Sequence, residues 1–150
     1  MPQIGDVVFV RTEGIVSDII RYFDPGRFNH VATFVSPLEI IEAEYNTPVR
    51  RVPFIYKDYE IVPMNYSYEE QQRVFKMAQG TIGEPYDYLQ IGDILARKLF
   101  HWHWLDKFNT NKAVICSELT AYFLIANHKV PDGSELLAPN ELYKVLKGIK

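Results

Sequence analysis

The pattern of apolar residues changes halfway along this chain of 150 residues. The first half carries short apolar runs rich in β-branched residues, each bounded by Gly, Pro, Asn or Asp, which is the pattern of β-strands. The second half carries longer segments whose apolar residues recur at helical spacing. Strands early and helices late predict an α+β fold, in which helices cover one side of an antiparallel sheet of about five strands.

The element boundaries follow from turn and capping residues. The predicted strands are 6–11, 31–35, 40–45, 49–54 and 59–63, and the predicted helices are 17–23, 67–79, 86–100, 116–127 and 139–146. Ser67 and Glu70 form a capping-box pattern, Gly80 is predicted to stop that helix, and Asn140 is predicted to cap the last one.

Composition limits the number of domains and the kind of partner. A chain of this length with 47% hydrophobic residues can close one core, so we expect a single domain over residues 1–150. The formal net charge of −3 is spread along the chain, which excludes the basic surface of a nucleic-acid-binding protein. A single cysteine leaves no intrachain disulfide and no zinc-site spacing.

The N-terminal residues carry no basic start followed by an apolar stretch, and no apolar run approaches the length of a membrane span. The sequence as given therefore predicts a cytoplasmic protein with no integral membrane segment. Export by a non-classical or phage-associated route would leave the same sequence. The oligomeric state is not indicated.

Cys116 and His30 are the candidate reactive residues. Cys116 opens a predicted apolar helix, where unpaired backbone N–H groups and a partial positive charge favour a thiolate and can hold an oxyanion. His30 begins a predicted strand and offers a base. A lone cysteine among Val, Ile and Leu is equally compatible with a small core residue.

Five short motifs follow one another along the chain. They are Gly5-Asp6, Asn29-His30-Val31, Ile41-Glu42-Ala43, Pro85-Tyr86-Asp87 and Cys116-Ser117-Glu118-Leu119. Together they resemble the circularly permuted papain-like cysteine peptidases of the NlpC type, in the YiiX-like branch. The histidine precedes the cysteine here, which is the order of the permuted branch.

The resemblance implies a thiol hydrolase that cleaves amide bonds, in cell-wall-type peptides, through a thioester acyl-enzyme. Cys116 would be the nucleophile, His30 the general base and Glu42 the group that orients the imidazole. Glu44 is the alternative third member, since alternation in a strand places both carboxylates on one face. The natural oxyanion donor is the backbone N–H of Cys116, and the chemistry needs no cofactor.

The candidate substrate-binding residues are Asp6, Tyr86, Asp87, Trp102 and Trp104. Tyr86 and Asp87 lie in the Pro-Tyr-Asp motif, and the two tryptophans offer a wall for the cleft or a flap that binds a partner. His101 and His103 could chelate a metal, but only Asp106 offers a third ligand nearby, so no metal site is predicted.

Two other functions stay open. One is a lipid acyl hydrolase or acyltransferase resembling the lecithin retinol acyltransferase group, which shares the His-before-Cys order. Its Asn-Cys-Glu context differs from Ile115-Cys116-Ser117. The other is a non-catalytic domain that binds a partner through the Trp102 and Trp104 segment. The expected partner is accordingly a peptide or acyl substrate.

Overall fold

Strands precede helices in the folded chain, as predicted. The computed structural model describes residues 1–13, 25–43, 47–83, 111–134 and 137–148, with backbone only for 111–115. The described elements are β1 (Val7–Val10), β2 (His30–Ser36), β3 (Glu39–Glu42), β4 (Arg50–Pro53), β5 (Tyr59–Val62), α1 (Tyr68–Thr81), α2 (Asn111–Ala126) and α3 (Pro139–Lys147). This arrangement confirms the α+β fold class and the antiparallel sheet of five strands.

The sheet is antiparallel throughout, with the strand order β4-β3-β2-β1-β5. Strand β2 lies at its centre and is almost entirely buried. Val10 at the end of β1 pairs with His30 at the start of β2, and Glu42 at the end of β3 pairs with Arg50 at the start of β4. The candidate base and its candidate orienting carboxylate therefore lie at the same end of the sheet.

The two faces of the sheet bury different sets of side chains. On the helical face, Phe9 and Val31 pack with Cys116 and Leu124 of α2. On the opposite face, Ala32 packs in a second cluster against which Phe54 and Tyr56 rest. Because side chains alternate along a strand, His30 and Glu42 belong to this second face. Cys116 approaches His30 from the helical face, at the end of β2.

The helix boundaries differ from the predictions in three places. The capping box of α1 is present, with Ser67 and Glu70 bonded reciprocally, but the helix continues through Gly80 to Thr81. Helix α2 begins at Asn111 rather than at Cys116. Helix α3 starts with Pro139 at its first position, and Asn140 does not cap it but bonds to Phe28. A helix interior tolerates one glycine at a cost of about 1 kcal/mol, which accounts for the first difference.

Two predicted helices, 17–23 and 86–100, lie outside the described residues. Among the helices that are described, none is long and apolar enough to cross a membrane.

Candidate active site

Two asparagine side chains fix the backbone that leads into His30. Asn29 accepts a hydrogen bond from the Thr12 N–H at 3.0 Å and donates one to the Thr12 carbonyl at 2.8 Å. Asn140 of α3 does the same for Phe28, with distances of 2.9 and 2.7 Å. Both amides are buried, where such paired hydrogen bonds hold geometry best. The first residue of β2 is thereby placed by contacts from two distant parts of the chain.

Strand register explains how Glu42 reaches His30. Thr33 pairs with Ile41, so continuing the same register sets Glu42 opposite Ala32, two residues from His30. Diagonal neighbours on one face of a sheet lie within reach of long side chains. The small side chain of Ala32 leaves room for the carboxylate to extend toward the imidazole.

His30 and Glu42 form a buried hydrogen-bonded pair. The Nε2–H of His30 donates to Oε2 of Glu42 at 2.9 Å, and the two side chains are only 0% and 2% exposed. Tyr56 donates its hydroxyl to the same Oε2 at 2.8 Å. Arg50 donates to the other oxygen, Oε1, from Nη2 at 3.0 Å and from Nε at 3.3 Å. Four donor atoms therefore hold the carboxylate in one orientation.

The other ring nitrogen of His30 faces a different environment. Nδ1 is buried, and no described residue meets it in regular hydrogen-bond geometry. The side chain of Cys116, itself 1% exposed, nevertheless interacts with the imidazole strongly enough to perturb its titration. The thiol and Glu42 therefore both act on the same imidazole.

These contacts shift the protonation of both members of the pair. Burial alone would lower the pKa of His30, but Cys116 and Glu42 outweigh it and raise that pKa from 6.5 to about 9. Burial alone would raise the pKa of Glu42, but His30, Tyr56 and Arg50 outweigh it and lower that pKa from 4.5 to about 2. The folded protein therefore holds an imidazolium beside a carboxylate at neutral pH.

Such an arrangement suits nucleophilic catalysis by a thiol. A protonated imidazole next to a cysteine favours the thiolate, which is the attacking species. The same imidazole can later give its proton to a leaving group, while the carboxylate keeps the ring in one tautomer and orientation. The structure brings these three side chains together as the sequence predicts, and their catalytic role is taken up below as a proposal.

The position of Cys116 within α2 changes the expected oxyanion donor. Because the helix begins at Asn111, Cys116 lies in the second turn, where backbone N–H groups bond to carbonyls four residues earlier. The helix dipole also acts mainly within the first turn. Its backbone N–H is thus not the oxyanion donor that the sequence predicts.

Asp6 does not join this site. It precedes Val7, at the other end of β1 from Val10, which pairs with His30. Both of its carboxylate oxygens accept backbone N–H groups at 2.9 Å, Oδ2 from Gln3 and Oδ1 from Met64. The predicted role in substrate binding is therefore replaced by a structural one, in which Asp6 joins the N-terminal turn to the chain after β5.

Replacing Asp6 by alanine is expected to lower the free energy of unfolding by about 1–2 kcal/mol, because two partly buried N–H groups lose a charged acceptor. The rate at which iodoacetamide modifies Cys116 should not change. Urea denaturation and intact mass spectrometry measure the two quantities. Asp58→Ala, which removes only a half-exposed partner of Arg27, is the control and should cost less than about 1 kcal/mol. If Asp6→Ala slowed the modification of Cys116 without changing stability, Asp6 would again be a candidate substrate-binding residue.

The remaining predicted residues fall outside the described part of the chain. These are Glu44, Tyr86, Asp87, Trp102 and Trp104, together with His101 and His103. Glu42 occupies the position beside His30, so the third member of the cluster is Glu42, the first of the two predicted candidates. The predicted substrate-binding roles of the other residues stay predictions.

Sequence reasoning missed two members of the site, Arg50 and Tyr56. A hairpin centred on Asn46-Thr47-Pro48 would set Arg50 opposite position 44, whereas the observed register sets it opposite Glu42, so the turn signal alone does not predict this contact. Tyr56 follows β4 in a segment without regular structure, and its ring centroid lies 5.6 Å from that of His30. No local pattern predicts that contact.

Comparison with known proteins gives a structural similarity but no family. No protein-family model matches this chain, and no curated protein matches it. A solved structure, metalloprotein YiiX from Escherichia coli O157:H7, described as DUF1105, is similar at 16% identity and a TM-score of 0.48, covering 95% of this chain and 92% of that chain. This weak similarity assigns no family to the chain and does not address the NlpC-type peptidase activity.

Metal binding is another chemistry that His, Cys and carboxylate side chains can support. Within the described ranges, no group of three or more His, Cys, Asp or Glu side chains is arranged to hold a metal ion. Both carboxylate oxygens of Glu42 also already accept hydrogen bonds, from four donor atoms in all.

Proposed function

We propose that this chain is a thiol hydrolase that cleaves amide bonds through Cys116, His30 and Glu42. The observation that carries the proposal is the buried imidazole with its two nitrogens in different roles. One nitrogen is bound to a carboxylate at 2.9 Å, and the other has no regular hydrogen bond while the single cysteine acts on the ring. That division of roles is what a nucleophile, base and orienting group require.

The proposed reaction has two steps. In the first, the Cys116 thiolate attacks the carbonyl carbon of an amide, the imidazolium of His30 gives its proton to the leaving nitrogen, and a thioester forms as the amine departs. In the second, neutral His30 takes a proton from water, the resulting hydroxide attacks the thioester carbon, and the carboxylic acid leaves. The thiolate and imidazolium are then restored. No cofactor enters either step.

The energetic cost of the cluster favours a functional role over a structural one. Burying ionised groups is costly, and a buried ion pair seldom contributes more stability than well-packed apolar side chains of similar volume. Strongly shifted pKa values in a coupled set of side chains are typical of active sites. A domain that only bound a partner would have no physical need for this combination of a thiol, an imidazole and a carboxylate.

The substrate class comes from the resemblance stated for the sequence, not from the cleft. We propose peptides of the bacterial cell wall as the substrates, with acyl esters as the competing class. The two classes differ in what they leave on Cys116, since a peptide gives an aminoacyl thioester and a lipid gives a fatty acyl thioester.

The test is incubation of the purified chain with cell-wall stem peptides and, separately, with long-chain acyl esters, in water enriched with heavy oxygen. Amide hydrolysis gives a new amine and a carboxylic acid that carries one oxygen from the water, both measured by mass spectrometry. Cys116→Ser is the control, because it keeps the shape of the side chain and removes the reactive sulfur. Products that form equally with Cys116→Ser would reject the proposal, and release of fatty acid alone would replace the peptide substrate with a lipid.

A further inference from the structure

Arg50 differs from the other members of the site in its exposure. Its side chain is 41% exposed, whereas the side chain of Glu42, to which it binds, is 2% exposed. The guanidinium thus reaches from the surface to a buried carboxylate. Two of its nitrogens, Nη2 and Nε, donate to the same oxygen of Glu42, Oε1, at 3.0 and 3.3 Å. The other oxygen, Oε2, accepts from His30 and Tyr56.

The charges of the cluster balance only when Arg50 is included. A thiolate on Cys116 and an imidazolium on His30 cancel each other, which leaves the negative charge of Glu42 without compensation. Tyr56 donates a hydrogen bond to that carboxylate but carries no charge. An unbalanced charge in a buried site is costly, and Arg50 supplies the missing positive charge.

Two neighbouring arginines pair elsewhere, and α2 also carries Glu118, a partly buried carboxylate two residues after Cys116. Arg51, the next residue of β4, binds Glu39 of β3. Arg27 binds Asp58, in the segment before β5, at 2.9 Å. From α2, the group that acts on His30 is Cys116. Within the part of the chain that the structure describes, Arg50 is therefore the cation that contacts the carboxylate of the pair besides His30 itself.

We propose that Arg50 is a positioning residue whose guanidinium neutralises Glu42 and thereby lowers the pH at which the Cys116 thiol and the His30 imidazolium lose their protons in the buried site. This inference rests on the proposed function, because it assigns a role to the ion pair of that site. Arg50 acts through Glu42 and does not contact the reacting atoms.

The direction of the effect follows from electrostatics. Removing a positive charge from a cluster makes every proton in it harder to remove. Without Arg50, the thiolate of Cys116 should form at a higher pH, and His30 should hold its proton to a higher pH. A residue that only packs against the site would change stability without moving these titrations.

The experiment follows the ultraviolet absorbance of the thiolate against pH in the full chain, with Cys116→Ala as the blank. This readout needs neither a substrate nor access of a reagent to Cys116. Arg50→Gln should raise the midpoint of thiolate formation by about 0.5 to 1 pH unit. Arg50→Lys, which keeps the charge, should restore at least half of the shift. Arg51→Gln removes the same charge from the next residue and should leave the midpoint unchanged.

Three results would overturn the inference. The first is an unchanged midpoint in Arg50→Gln, and the second is an equal shift in Arg51→Gln, which would indicate a general surface effect. The third is a shift that lysine does not restore. The variant His30→Gln distinguishes failure of this inference from failure of the proposed function. If that variant has the same midpoint as the natural chain, there is no ion pair for Arg50 to support, and both claims fail.

Discussion

Cys116→Ala is expected to reduce amide hydrolysis to the uncatalysed rate, while His30→Ala is expected to slow it by about 10²- to 10⁴-fold. The difference arises because the sulfur forms the bond to the substrate, whereas the imidazole transfers protons, which water can also do at a lower rate. Glu42→Gln should slow the reaction less than His30→Ala, since it weakens the orientation of the ring and leaves the base in place. Turnover is measured with whichever substrate responds in the product assay.

All three variants need a check of their fold, because each changes a buried residue. Far-ultraviolet circular dichroism and the urea midpoint supply that check. A Cys116→Ala protein that kept full activity would eliminate the mechanism, whatever the behaviour of the other two. Equal loss in Glu42→Gln and His30→Ala would instead mean that the carboxylate does more than orient the ring.

Glu42→Ala is expected to lower the free energy of unfolding by about 3–5 kcal/mol near neutral pH, because it leaves a buried His30 without its counter-charge. Glu39→Ala is the matched control on the same strand. Glu39 pairs with Arg51 at the surface, where such pairs contribute about 0–1 kcal/mol. Urea denaturation measures both variants. A cost for Glu42→Ala no larger than that of Glu39→Ala would contradict the buried ion pair.

The same pair predicts how stability depends on pH. The pKa of Glu42 is lowered from 4.5 to about 2, so its contribution is present above pH 4.5 and is lost as the pH falls toward 2. The pKa of His30 is raised from 6.5 to about 9, so its contribution is full below pH 6.5 and is lost as the pH rises through 9. The difference in unfolding free energy between the natural chain and Glu42→Gln should therefore be largest between pH 4.5 and 6.5. A difference that did not decrease below pH 4.5 and above pH 6.5 would contradict the shifts.

The strands could be predicted from the sequence more closely than the helix ends. Runs such as Val7-Val8-Phe9-Val10 are β-branched and apolar, and turn residues bound them, so local chemistry and the final fold agree. The start of α2 was placed too late because Cys116 opens its most apolar part. Asn109, Thr110 and Asn111 are residue types that cap helices, a signal for the earlier start.

Some residues of the candidate site could likewise be predicted from the sequence, and others could not. His30 and Glu42 were predicted from their motifs, but the strand register that joins them depends on a shift between Phe34 and Ser36 that no local sequence pattern indicated. Tyr56 could not be predicted, because its contact with Glu42 depends on the path of an irregular segment after β4. Asn140 could not be predicted either, since its bonds to Phe28 join residues that are far apart in sequence.

Titration of His30 by nuclear magnetic resonance tests the central claim most directly, because it reads the coupling of the imidazole to both partners without a substrate. The chain has four histidines, so His30→Gln identifies the signal. We expect a midpoint near pH 9 in the natural chain, and a clearly lower midpoint in Cys116→Ala and in Glu42→Gln. A midpoint near pH 6.5 in the natural chain, or one that neither variant changes, would contradict a coupled thiol, imidazole and carboxylate.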